Sequence, residues 1–111
     1  MFPPPKNPLG ITGIEFVEFA TQTPSDLTRI FTSLGFACNA RHRSHPISAY
    51  QQNEITFLLN ARTTGFAAEF ASLHGSSVSA IALGVQDVAH ALAEASRRGA
   101  TVWQGNSPYG E

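Results

Sequence analysis

The sequence predicts an α+β domain: a βαβββ module over about residues 12–60, a linking helix, and a shorter second βαβ unit over about 77–105. Three observations carry this prediction. Stretches rich in β-branched and aromatic residues alternate with stretches whose apolar residues recur every three to four positions. The order strand–helix–strand starts twice, and the two starts align at an offset of 64 residues without a gap. Finally, 111 residues with 42% hydrophobic and 14% charged side chains suit one globular domain with its own core.

The elements follow in order. "GIEFVEFA" (13–20) reads as a strand. In "TQTPSDLTRIFTSLGF", Thr23 is placed to cap a helix, Pro24 fits its first position and Asp26 suits its positive end. Leu27, Ile30, Phe31 and Leu34 form an apolar stripe, and Gly35 stops the helix. Three strand-like runs come next, at 36–43, 47–52 and 54–60. Pro46 breaks between the first two, and Asn53 fits a tight turn between the second pair. "GFAAEFASLHG" (65–75) predicts a short helix with Phe66, Phe70 and Leu73 on one face. "SVSAIALGV" (77–85) is a strand again, Asp87 caps "VAHALAEASRRG", and "TVWQ" begins a further strand.

The 64-residue offset places Ile14 on Val78, Val17 on Ile81, Phe19 on Leu83, Thr23 on Asp87 and Gly35 on Gly99. Few of these pairs are identities. The agreement of strand, cap and stop in one register is the stronger argument for a repeat. By the same offset the second module would continue to roughly residue 124, so it reads as cut off after its first post-helix strand.

Bulk properties exclude several classes. A net charge of −1 and a pI near 6.4 leave no electrostatic footprint for nucleic acid or an anionic membrane. No apolar run approaches the ~20 residues of a spanning helix. The start, "MFPPPKNPLG", lacks a signal-peptide core and reads as a stiff Pro-rich leader over 1–10, with 11–111 a single domain. With Cys38 the only cysteine, no intrachain disulfide forms, and a reduced, cytoplasmic setting is expected.

The segments "NPLGITGIEFVEFA", "LGFACNARHRS", "YQQNEITFLLN" and "FAAEFASLHGSSVSAIALGVQDV" together carry a family resemblance over about residues 7–103. They resemble the amino-terminal half of bacterial 4-hydroxyphenylpyruvate dioxygenases. That family belongs to the vicinal oxygen chelate superfamily (glyoxalases, extradiol dioxygenases), whose plan is paired βαβββ modules. In a catalytic module of the superfamily, a histidine lies near the start of the first strand. A matching ligand comes from the first strand of the second module, and a glutamate often comes from a last strand. Here the corresponding positions are Phe16 and Ala80, which cannot bind iron. The resemblance therefore implies an apolar cup with no catalytic, cofactor-binding or metal residue on this chain. The Fe(II) of the full-length family would sit in the carboxy-terminal domain.

Several residues remain to be weighed. His42 and His45 in "RHRSH" are either half of a metal site or a solvated turn. A ferrous oxygenase site needs two histidines and a carboxylate, and no third ligand is marked. Glu18 shares a strand face with Ile14 and Phe16 and would project into the cup. There it needs a partner, for which Arg41 and Arg43 are candidates, or it serves in binding or acid–base chemistry. Cys38 reads as a small strand residue rather than a nucleophile, and His74 as a helix C-terminal cation. His90 is expected to be exposed, and the aromatics Phe16, Phe19, Phe31, Phe57, Phe66 and Phe70 to be core. Trp103 is a candidate for exposed surface or a subunit contact.

The expected function is a non-catalytic scaffold supporting a dioxygenase's catalytic domain. The alternatives are a stand-alone metal-free binder of small molecules and the dioxygenase-like domain of a 3-dehydroshikimate dehydratase. The half-built second module predicts pairing with the carboxy-terminal domain or with a second copy of the chain, most simply as a homodimer.

Overall fold

A computed structural model describes residues 6–103. They divide into two compact units, 14–82 on one hand and 6–13 with 83–103 on the other. The elements are β1 (Ile11–Ala20), α1 (Pro24–Ser33), β2 (Ala37–Arg41), β3 (Ile47–Gln52), β4 (Ile55–Asn60), α2 (Phe66–His74), β5 (Ser77–Val85) and α3 (Val88–Arg97).

The strands form one sheet in the order β2-β3-β4-β1-β5. β2, β3 and β4 make an antiparallel meander, and β1 lies parallel to β4 with Val17 opposite Phe57 and Ala20 opposite Asn60. Asn53 makes the β3–β4 turn with φ of +53°, the left-handed geometry that asparagine tolerates. The first predicted strand of the meander loses both of its ends. Phe36 is drawn into the helix stop by its amide bond to the Phe31 carbonyl, and His42 into the next turn by its bond to Ile47.

Alternation along β1 sends Phe19 to one face of the sheet and Glu18 and Ala20 to the other. α1 covers the Phe19 face. Phe31 meets the rings of Phe19, Phe36, Tyr50 and Phe57 at centroid separations of 5.2 to 6.1 Å. Phe31, Phe36 and Tyr50 join Leu27 and Leu59 in one buried cluster, against which Phe19 and Phe57 pack. Phe36 stacks on Phe57 at 4.4 Å, and the Tyr50 hydroxyl reaches Thr28 at 3.0 Å.

α2 packs on the opposite face, with a different side turned inward from the one expected. Ala67 and Ala71 lie on Ala20, whereas Phe66 is 53% and Leu73 79% exposed. The small alanines let the helix backbone come close to the sheet, which the bulkier Phe66–Phe70–Leu73 stripe would hold away. Phe66 therefore departs from the expected core, while Phe70 is half-buried with its ring 4.4 Å from that of His74.

In the second unit, Asp87 caps α3 by accepting the His90 amide at 3.0 Å, as expected. Thr23, its counterpart, does not cap α1 through its side chain. Its amide instead donates to the Thr21 hydroxyl at 2.9 Å, and the Thr23 backbone carbonyl accepts from Asp26. The Asn7 side chain brackets Ile11, donating to its carbonyl and accepting from its amide, both at 2.9 Å. His90 is exposed, with Nε2 lying 2.8 Å from the Pro8 carbonyl oxygen.

The strand expected at "TVWQ" is not formed over the described residues Thr101–Trp103. Its counterpart β2 is held by β3 alone, and no described residue stands in β3's place for the second module. Residues 1–5 of the expected leader and 104–105 of the second unit lie outside the described residues.

Candidate functional site

Glu18 is 5% exposed, on the face of the sheet away from α1. Its carboxylate accepts from Asn60 Nδ2 at 3.2 Å and from Ser79 Oγ at 2.5 Å. The residue thus joins β1 to both neighbouring strands. These partners differ from the arginines expected from sequence. β2 stands three strands from β1, roughly 14 Å across the sheet, and Arg41 lies against Ser48 on β3. A buried carboxylate is tolerable here because neutral donors converge on it.

The polar run continues toward the carboxyl ends of the parallel strands. Asn60, itself buried, accepts the Arg62 amide through Oδ1 and the Thr21 amide through its backbone carbonyl. Thr21 is buried too and shares a hydroxyl bond with Ser76 at 2.7 Å. Just outside this layer opens a cleft of about 580 Å³. Its walls come from the end of β1 (Thr21, Gln22), the β4–α2 loop (Ala61 to Gly65) and one side of α2 (Ala68, Glu69, Ser72). Sequence reasoning missed this cleft, although the polar loop "RTTG" directly after a strand was a signal for it.

His42 and His45 do come together, with ring centroids 4.8 Å apart. His42 Nδ1 accepts the amides of Ser44 and His45, so the segment between β2 and β3 is a turn wound around one imidazole. Among the described residues, no three His, Cys, Asp or Glu side chains gather in a way that could hold a metal ion. Phe16 is half-buried and Ala80 exposed, and neither side chain carries a donor atom. The described residues thus do not fit the donor set that ferrous iron requires. Cys38 is exposed on the edge strand β2, with its thiol near the Ala40 carbonyl, and Trp103 is exposed. No described helix is long and apolar enough to cross a membrane.

A β2-β3-β4-β1 sheet in which α1 connects β1 to β2 is a βαβββ module of the glyoxalase, or vicinal oxygen chelate, kind. Residues 5–111 match the family model described as "Hydroxyphenylpyruvate dioxygenase, HPPD, N-terminal", and the chain belongs to that family. It is 38% identical over 108 residues to a 4-hydroxyphenylpyruvate dioxygenase of Pseudomonas aeruginosa, covering 95% of this chain and 30% of the relative. It is also 38% identical over 107 residues to a 3-dehydroshikimate dehydratase of the same organism, covering 95% of this chain and 17% of the relative. Among solved structures, a xylose isomerase-like TIM barrel/4-hydroxyphenylpyruvate dioxygenase fusion protein superposes with a TM-score of 0.82 at 34% identity. That match covers 94% of this chain and 17% of the other. The chain spans less than a third of the length of the curated relatives it matches.

Proposed function

We propose that this chain is the non-catalytic amino-terminal scaffold of a 4-hydroxyphenylpyruvate dioxygenase-like protein. The parent reaction converts 4-hydroxyphenylpyruvate and O2 to homogentisate and CO2 in the cytoplasmic breakdown of aromatic amino acids. Fe(II) is held by a carboxy-terminal domain, and this chain contributes the surface on which that domain, or a second copy of the chain, packs. The observation that carries this reading is the contrast in coverage: the family match runs along residues 5–111, and the alignment with a dioxygenase takes in 95% of this chain but only 30% of that relative.

The test uses the 111-residue chain purified anaerobically with ferrous iron and then desalted. The reading expects neither retained iron nor O2 uptake with 4-hydroxyphenylpyruvate. One iron per chain, lost on changing His42 and His45, would overturn it. Light scattering tests the packing surface, with a dimer expected and a monomer at high concentration counting against self-association.

A second reading, the dioxygenase-like domain of a dehydratase, is favoured by one observation. The dehydratase relative is as similar to this chain as the dioxygenase is. The coding sequence beyond Glu111 separates the two, since only the first reading expects the histidine and glutamate ligands of an iron site there.

A further inference from the structure

The cleft beyond the carboxyl ends of β1 and β4 contains two opposite charges that no interaction described so far uses. Arg62 and Glu69 both line it. The ion pairs among the described residues are Arg29–Asp26, Arg97–Glu94 and Arg98–Glu94, so the two charges in the cleft do not neutralise each other. The Arg62 guanidinium has a defined place. It lies beside Gly65, where an added Cβ would come within 3.8 Å of Nη1. Arg62 is half-buried, and Glu69 stands on the first turn of α2, seven residues on.

The rest of the lining suits a small ligand. Thr63, Thr64, Ser72 and Gln22 offer neutral donors and acceptors, while Ala61 and Ala68 offer small apolar wall. About 580 Å³ falls within the size range of small-molecule pockets. It opens beyond the carboxyl ends of β1 and β4, which run parallel.

We propose that this cleft binds a small zwitterion of the α-amino acid class, its carboxylate on Arg62 and its ammonium group on Glu69. A guanidinium binds a planar carboxylate through paired N–H donors. The carboxylate of Glu69 disfavours ligands with a second negative charge, and Arg62 disfavours simple amines, so the pair selects one charge of each sign. The proposal concerns this chain's own residues and is independent of the parent protein's reaction.

The experiment is an amide NMR titration of the 15N-labelled 111-residue chain with L-leucine, 4-methylpentanoate and 3-methylbutylamine. The three probes share a side chain and differ in charge. With L-leucine, shifts confined to Gln22 and residues 61–72 are expected, saturating in the low millimolar range, about −4 kcal/mol of binding. Each singly charged analogue should bind at least about tenfold more weakly. Arg62→Gln should weaken L-leucine about tenfold, and Glu69→Gln should bring L-leucine and 4-methylpentanoate level. Absence of shifts up to about 50 mM, shifts elsewhere on the chain, or analogues matching L-leucine would each overturn the proposal. Should either variant fail to fold, the comparison of the three probes on the unaltered chain decides by itself.

Discussion

Phe31 and Ala95 are the same position of one helix stop, built twice. The Phe36 amide donates to the Phe31 carbonyl at 2.9 Å, and 64 residues on, the Ala100 amide donates to the Ala95 carbonyl at 3.0 Å. The bonds around them match as well. Leu34 reaches Ile30 and Phe31 as Arg98 reaches Glu94 and Ala95, and Gly35 reaches Thr32 as Gly99 reaches Ser96. The helices Pro24–Ser33 and Val88–Arg97 bear the same offset. What differs is the packing: Phe31 sits at the centre of an aromatic cluster, and Ala95 has only a methyl group to offer.

The paired glycines give a direct comparison of the two stops. Gly35 and Gly99 have φ of +99° and +103°, so alanine at either is strained by about 1–2 kcal/mol. At Gly35 the new Cβ would also lie 2.5 Å from Gln52 Nε2, while at Gly99 nothing stands within 4 Å. Urea denaturation should therefore show Gly35→Ala costing more than Gly99→Ala. The reverse order would mean the second stop is held by something besides its backbone.

Glu18→Ala should be costly, because it removes the carboxylate that accepts from the buried Asn60 amide and from the Ser79 hydroxyl. The expected loss is about 1–3 kcal/mol, and Glu18→Gln, which keeps an acceptor oxygen, should lose less. Thermal and urea unfolding would measure both. An alanine variant as stable as the parent would show that the carboxylate does not join β1 to its neighbours.

The orientation of α2 can be checked from its two sides. Ala71 is 1% exposed against the sheet, so Ala71→Leu should destabilise by about 1–3 kcal/mol through overpacking. Leu73→Ser, on the open side, should change stability by less than about 0.5 kcal/mol. Comparable losses from both would place Leu73 in the core after all.

Glu94 gives a pH dependence with a fixed sign. Hydrogen bonds from Arg97 and then Arg98 hold its carboxyl down at about 2, against an ordinary 4.5. A folded-state value below the unfolded one contributes stability that is present above about 4.5 and lost as the pH falls toward 2. A 13C titration of the Glu94 carboxyl should find its midpoint near 2, moving up as added salt screens the arginines. A midpoint in the ordinary glutamate range would mean that the ion pairs do not persist in solution.

Much of the fold was legible because periodicity and stop signals are local. Pro24, Gly35, Asp87 and Gly99 mark element ends by their own backbone chemistry, and Asn53 marks its turn in the same way. The inward side of α2 was not legible. Hydrophobicity ranks Phe66 and Leu73 above Ala67 and Ala71, whereas the sheet surface at Ala20 admits only the smaller pair. The partner of Glu18 was missed for another reason. Which strands flank β1 depends on the parallel β1–β4 crossover, and no run of neighbouring residues encodes that. The cleft is assembled from three separate segments, of which only the β4–α2 loop had a visible signal.

That crossover sets an order of assembly. β2, β3 and β4 pair across short turns, but β1 must wait some forty residues for the strand it lies against and about sixty for β5. Loop-closure entropy delays such distant pairings relative to the meander. The first strand of this sheet to be synthesised is thus the last to gain both of its neighbours, and until β4 is made its apolar residues have no sheet to join. Pulse-labelled hydrogen exchange should find the amides of Tyr50 and Phe57, which face each other across β3 and β4, protected before that of Phe19. Simultaneous protection would mean that the sheet closes in one step.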